Sequence, residues 1–87
     1  MSVEEQIKDL VITQLKVEPD KVTLEATIKE DLGADSLDAT ELIIAIESAF
    51  GVSIPDDEAL QILTFGDLVR CIEQKVKAKP GRVTTAG

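Results

Sequence analysis

The sequence predicts an all-α fold, a small four-helix bundle of three longer helices and one short helix, with a long loop between the first and second. Three observations lead there. Apolar residues recur at helical spacing in three separate windows. Helix-opening signals stand before them, Ser2-x-x-Glu5 and Thr64-x-x-Asp67 among them. The hydrophobic 44% of the chain contains no Trp or Tyr and two Phe, so the core must be built from Leu, Ile, Val and Ala, a composition suited to helix-on-helix packing. With 87 residues, the chain makes one domain with a modest core and no room for a deep enclosed active site. Residues 1–79 are expected to form that domain, and residues 80–87, beginning at Pro80-Gly81, a disordered tail.

The first helix is expected from Ser2 to about Leu15, with Val3, Ile7, Leu10, Val11 and Leu15 on its apolar side. From Lys16 to Asp35 the periodicity lapses, with Pro19 and Gly33 as breakers and Val22, Leu24, Ile28 and Leu32 as anchors pinning the loop to the bundle. Loops of this length inside a compact domain are often functional. The second helix should run from about Ser36 to Phe50, stopped by Gly51, with Ala39, Leu42, Ile43, Ile46, Ala49 and Phe50 as its core stripe. Its other face aligns Leu37, Glu41, Ile44 and Ser48, flanked by Asp38 and Glu47, which places two sizeable apolar side chains among carboxylates as a docking surface. The plainer alternative has Leu37 or Ile44 packed against the loop. After Ile54-Pro55, the acidic opening Asp56-Asp57-Glu58 followed by Ala59, Leu60 and Ile62 predicts the short third helix. The fourth should bury Phe65, Leu68, Val69, Ile72 and Val76 and carry Lys75, Lys77 and Lys79 toward its C-terminal end.

Composition also excludes whole classes of chemistry. There is no histidine and a single cysteine, Cys71, so an internal disulfide, a Ser-His-Asp triad and a Cys-His dyad are excluded within this chain, as is a zinc site. No basic-then-apolar leader follows Met1 and no apolar run reaches membrane-span length, which leads to the expectation of a cytoplasmic protein. The net charge is −8, and between Lys29 and Arg70 there is no Lys or Arg while ten acidic residues occur. Such a midsection repels nucleic acid and anionic membranes and steers basic protein surfaces toward it.

Ser36 stands between Asp35 and Leu37-Asp38 at the head of the second helix. A calcium loop beginning at Asp31 fails, because Gly33, Ser36 and Leu42 occupy positions that need a ligand, a glycine and a bidentate glutamate. A nucleophilic serine lacks a suitable base. Two readings remain open on the residues alone: Ser36 as an ordinary helix cap, or Ser36 as a site modified by another enzyme at a helix N-terminus that favours a phosphate ester.

The segment "DLGADSLDATELIIAIESAFGVSIPDDEA" resembles the central part of acyl carrier proteins of type II, dissociated, fatty acid synthesis. The likeness extends over nearly the whole chain: first helix, long loop, Gly33 to Asp38, Glu41-Leu42, "IPDDEA" and final helix follow in the family's order and spacing. The resemblance implies that Ser36 receives 4'-phosphopantetheine from coenzyme A through a holo-carrier synthase. The arm's thiol then carries growing acyl chains as thioesters to fatty acid synthesis and acyltransfer enzymes. It further implies a non-enzymatic, monomeric carrier whose face of Asp35, Leu37, Asp38, Glu41, Ile44 and Glu47 meets basic patches on its partners. It implies too an apolar lining of Ile43, Ile46, Ile54, Ala59, Ile62 and Leu68 that opens to receive the acyl chain, with stable membrane insertion and nucleic-acid binding no part of its work. Departures from the commonest family pattern are Thr40 in place of an aliphatic residue, Ser48 and Ala49 in place of acids, and Cys71, expected as a buried or half-buried small hydrophobe. Two alternatives stand beside this: a carrier for polyketide or another acyl pathway, and a non-carrier acidic interaction module with Ser36 serving as a cap.

Overall fold

The computed structural model describes residues 2–78, and the expected tail and Lys79 lie outside them. Helix α1, Val3–Leu15, opens on a full capping box: the Glu5 N–H donates to Ser2 Oγ at 3.1 Å, and the Ser2 N–H donates to Glu5 Oε1 at 3.3 Å. It closes on Lys16, a non-glycine residue in the left-handed region at φ 57°. Helix α2, Ser36–Phe50, ends as its sequence demands, with Gly51 at φ 65° and the Gly51 N–H donating to the Glu47 carbonyl at 2.8 Å. A four-residue helix α3, Asp56–Ala59, and a longer α4, Phe65–Ala78, complete the set. Helix α1 packs against both α2 and α4. Ile7, Val11, Leu42, Ile46, Phe65, Leu68 and Ile72 are fully enclosed at the centre of one continuous core.

The long loop is more ordered than its lost periodicity suggests. It contains a 3-10 turn, Pro19–Lys21, and an isolated antiparallel bridge between Thr27 and Thr64. The bridge is extended by hydrogen bonds from the Ile28 N–H to the Leu63 carbonyl, from the Phe65 N–H to the Ala26 carbonyl and from the Gly66 N–H to the Leu24 carbonyl, all at 2.9 Å. The loop is thus laced to the start of α4, which answers where its backbone polar groups go.

Three expectations about packing need correction. Leu24 is exposed, because its backbone rather than its side chain makes the attachment, through Gly66; Ala26 and Ala34 are buried in the core instead. Ala49 is also exposed, so α2 buries Leu42 and Ile46 fully and Ile43 and Phe50 in part. The third helix has no buried residue, and Leu60, expected with its apolar side, faces solvent while Ala59 and Ile62 touch the core.

Candidate functional site

The N-terminus of α2 is capped by Asp35, not by Ser36. Asp35 has extended backbone, its Oδ1 accepts the Asp38 N–H at 2.8 Å, and Asp38 Oδ2 in return accepts the Asp35 N–H at 3.4 Å. The chain reaches this cap through Gly33, at φ 73°, and buried Ala34. Ser36 is therefore the first residue of the helix proper and is exposed. Like any residue there, its N–H and that of Leu37 have no acceptor within the helix, and the positive end of the helix dipole lies beside its hydroxyl. The reading of Ser36 as a mere cap is corrected by this geometry, since a neighbouring carboxylate performs that task. Each capping carboxylate takes one backbone N–H on one of its two oxygens, Asp35 through Oδ1 and Asp38 through Oδ2, on either side of the serine.

Down the outer side of α2, Leu37, Glu41 and Ile44 are exposed, Leu37 by 65% and Ile44 by 57%, so neither leucine nor isoleucine is packed against the loop. Thr40, one turn on from Ser36, donates its hydroxyl back to the Ser36 carbonyl at 2.9 Å, which spends its polarity on the helix itself. Glu47 behaves differently from its expected place on this face. It is half-buried, and its Oε2 accepts the Ile54 N–H at 2.6 Å, tying the end of α2 to the turn before α3. Sequence periodicity could not reveal this, because the acceptor reaches seven residues forward around the Gly51 turn.

The six side chains expected to line an acyl pocket are packed in this structure: Ile46, Ile54 and Leu68 are buried, and Ile43, Ala59 and Ile62 lie against the same core. A separate open cleft of about 460 Å³ lies between α3 and α4, and among the six it is Ile62 that borders it. Lys75 Nζ meets Glu58 Oε1 there at 2.7 Å, and that hydrogen bond holds the Lys75 pKa up. Cys71, in the same cleft, is half-buried, and burial pushes its thiol up, away from the reactive thiolate.

Comparison with known proteins fits this arrangement. Residues 5–72 match the family described as the phosphopantetheine attachment site. The chain is 48% identical over 79 residues to the acyl carrier protein of Campylobacter hominis, across 91% of this chain and 100% of the relative. The chain belongs to the acyl carrier protein family. The acyl carrier protein of Wolinella succinogenes is 51% identical over 73 residues, covering 84% of this chain and 96% of its own. Among solved structures, an acyl carrier protein from Enterococcus faecalis superposes with a TM-score of 0.72 at 33% identity, covering 84% of this chain and 92% of that one. An acyl carrier function of the fatty acid synthesis type, with 4'-phosphopantetheine as the cofactor, goes with this membership. The relatives are by name carriers rather than catalysts. No helix among the described residues is long and apolar enough to cross a membrane.

Proposed function

We propose that Ser36 Oγ is the attachment atom for 4'-phosphopantetheine, and that the acidic outer face of α2 is where the carrier meets its enzymes. The observation that carries this reading is the division of labour at the head of α2: Asp35 caps the helix, which leaves the exposed hydroxyl of Ser36 uncommitted to the fold. An exposed oxygen on the first turn suits a long substituent linked through phosphate, because nothing needs to unfold to admit it and the helix N-terminus favours the negative charge. When attached, the group supplies a terminal thiol that holds an acyl chain as a thioester. The protein's own contribution is to position, present and screen. Asp35 and Asp38 fix the turn on which Ser36 rides, while Leu37, Glu41 and Ile44 offer apolar contact within a negative field.

The first partner is a phosphopantetheinyl transferase acting as holo-carrier synthase, and the later ones are fatty acid synthesis and acyltransfer enzymes with basic patches. Charge accelerates such encounters without prolonging them, which suits a carrier that must leave each enzyme after one step. The chain itself catalyses nothing in this scheme, works as a monomer, and acts in the cytoplasm. Ile43, Ile46, Ile54, Ala59, Ile62 and Leu68 part to admit the acyl chain. Support for that is the shortness of α3, four residues of which none is fully buried. Incubation with coenzyme A, magnesium and a transferase, followed by peptide mapping, tests the attachment: the added group should be found on the peptide containing Ser36 and on no other.

A further inference from the structure

Glu47 gathers the backbone N–H groups of the turn that follows α2. Its carbonyl accepts from Gly51 at 2.8 Å and from Val52 at 3.2 Å, and its Oε2 accepts from Ile54 at 2.6 Å. One residue of α2 thus fixes the path of the chain over residues 51–54, where Gly51, at φ 65°, turns it back. The turn presses apolar groups inward: Ile54 is buried, and Val52 packs against the core. Loss of the carboxylate would leave the N–H of an enclosed residue without its acceptor. Among the described residues no ion pair engages Glu47, so its side chain acts here through that hydrogen bond.

Beyond Ile54 the pattern of backbone hydrogen bonds changes. Those of residues 55–62 run within that segment: the Glu58 and Ala59 N–H groups donate to the Pro55 carbonyl, Leu60 to Asp56, Gln61 to Glu58 and Ile62 to Ala59. The side chains of the acyl lining therefore divide. Ile43 and Ile46 stand on α2 and Ile54 is tied to it through Glu47, whereas Ala59 and Ile62 belong to a segment whose backbone bonds are its own. We propose that Glu47 is a positioning residue for the acyl chain: by holding the Ile54 N–H it makes Ile54 a stationary wall of the lining, from which Ala59 and Ile62 move away. This rests on the reading of the core as the place that admits the chain. It gives Glu47 an inward task, done by its hydrogen bond, in place of the outward one that helical spacing suggests.

The test compares the full chain, loaded by a phosphopantetheinyl transferase with an acetyl or an octanoyl arm, with its Glu47→Ala, Glu47→Asp and Glu47→Gln variants. Methyl NMR, amide hydrogen exchange and the rate at which an added thiol cleaves the thioester are the readouts. In the natural chain the octanoyl form should shift the methyl signals of Ile46 and Ile54 relative to the acetyl form, and its thioester should be cleaved several-fold more slowly. The Ile54 amide should exchange at a rate within about twofold of that in the acetyl form, because its hydrogen bond persists. Glu47→Ala should speed that exchange by roughly tenfold or more, the loss expected of a hydrogen bond to a charged acceptor, and should bring the two cleavage rates together. Glu47→Asp, which keeps the charge and shortens the reach, should side with Ala, and it serves as the test if the Ala variant does not fold. Glu47→Gln, whose side-chain oxygen still accepts, should restore most of both effects, whereas a contribution by charge alone would be lost in Gln and kept in Asp. If the octanoyl chain leaves the Ile46 and Ile54 methyl signals where the acetyl form has them, the acyl reading falls and this inference with it. If those signals move but acylation releases the Ile54 amide, or if Gln behaves as Ala does, the acyl reading stands and the inference alone is overturned.

Discussion

At the N-terminus of α2, two adjacent residues have separate tasks, and substitution should separate them. Asp35→Ala removes the side chain that accepts the Asp38 N–H, and urea unfolding should find a loss of about 1 kcal/mol, as for other helix caps. Ser36→Ala removes an exposed hydroxyl with no part in the cap, so its stability should stay within about 0.5 kcal/mol of the natural chain while loading with phosphopantetheine is abolished. Equal destabilisation by the two would mean that Ser36 shares the capping. The same distinction limits charge reversal as a probe of docking. Lysine at position 35 or 38 breaks the capping box as well as changing the field, and Glu47 is engaged with the Ile54 N–H. Glu41, exposed and outside the capping box, is the cleaner position.

Among the elements, the start of α4 has the most concentrated set of dependences. The Asp67 carboxylate accepts the N–H groups of Leu63 and Thr64, each at 3.2 Å, and the Asp67 N–H donates to Thr64 Oγ1 at 3.0 Å. Those backbone hydrogen bonds hold the Asp67 pKa below its ordinary value of 3.8. Since the folded value is the lower one, the stabilisation is present in full above the unfolded value and is lost as pH falls through the folded one. Asp67→Ala should therefore cost about 1 kcal/mol at neutral pH, with the gap to the natural chain narrowing as the solution is acidified below the ordinary carboxylate range. A gap independent of pH would assign the loss to packing instead. One residue earlier, a Cβ on Gly66 would lie 2.8 Å from the Leu24 carbonyl oxygen, a backbone atom that cannot swing away. Gly66→Ala should destabilise the fold by about 1 to 3 kcal/mol, read by thermal or urea unfolding, as overpacking does elsewhere.

These dependences mark where the sequence is legible and where it is not. Helices α1 and α2 could be read closely because caps, periodicity and stop signals agree over short range: Ser2 with Glu5, the apolar residues through Phe50, then Gly51. The loop could not, because its order comes from partners far along the chain. Leu24 reads as an anchor by its side chain, whereas the contact that fixes it is a carbonyl accepting from Gly66. At the site, Leu37, Glu41 and Ile44 could be placed outside from helical spacing alone, while the role of Glu47 depends on a turn whose path the residues do not reveal.

Over the whole molecule, the absence of Lys and Arg from residue 30 to residue 69 makes the face that carries Ser36 part of a wide negative field. Encounter with basic enzymes should then be fast at low ionic strength and fall as salt screens it. Glu41→Lys should slow loading by the transferase several-fold at low salt, with the difference from the natural chain fading toward about 0.5 M salt and thermal stability unchanged. Identical rates at low salt would remove the outer face of α2 from docking. The measurement that bears most directly on the central claim is the intact mass of the natural chain and of Ser36→Ala after incubation with coenzyme A, magnesium and a competent phosphopantetheinyl transferase. One added phosphopantetheine on the natural chain and none on a folded Ser36→Ala protein is the predicted result; addition to both, or to neither, would contradict it.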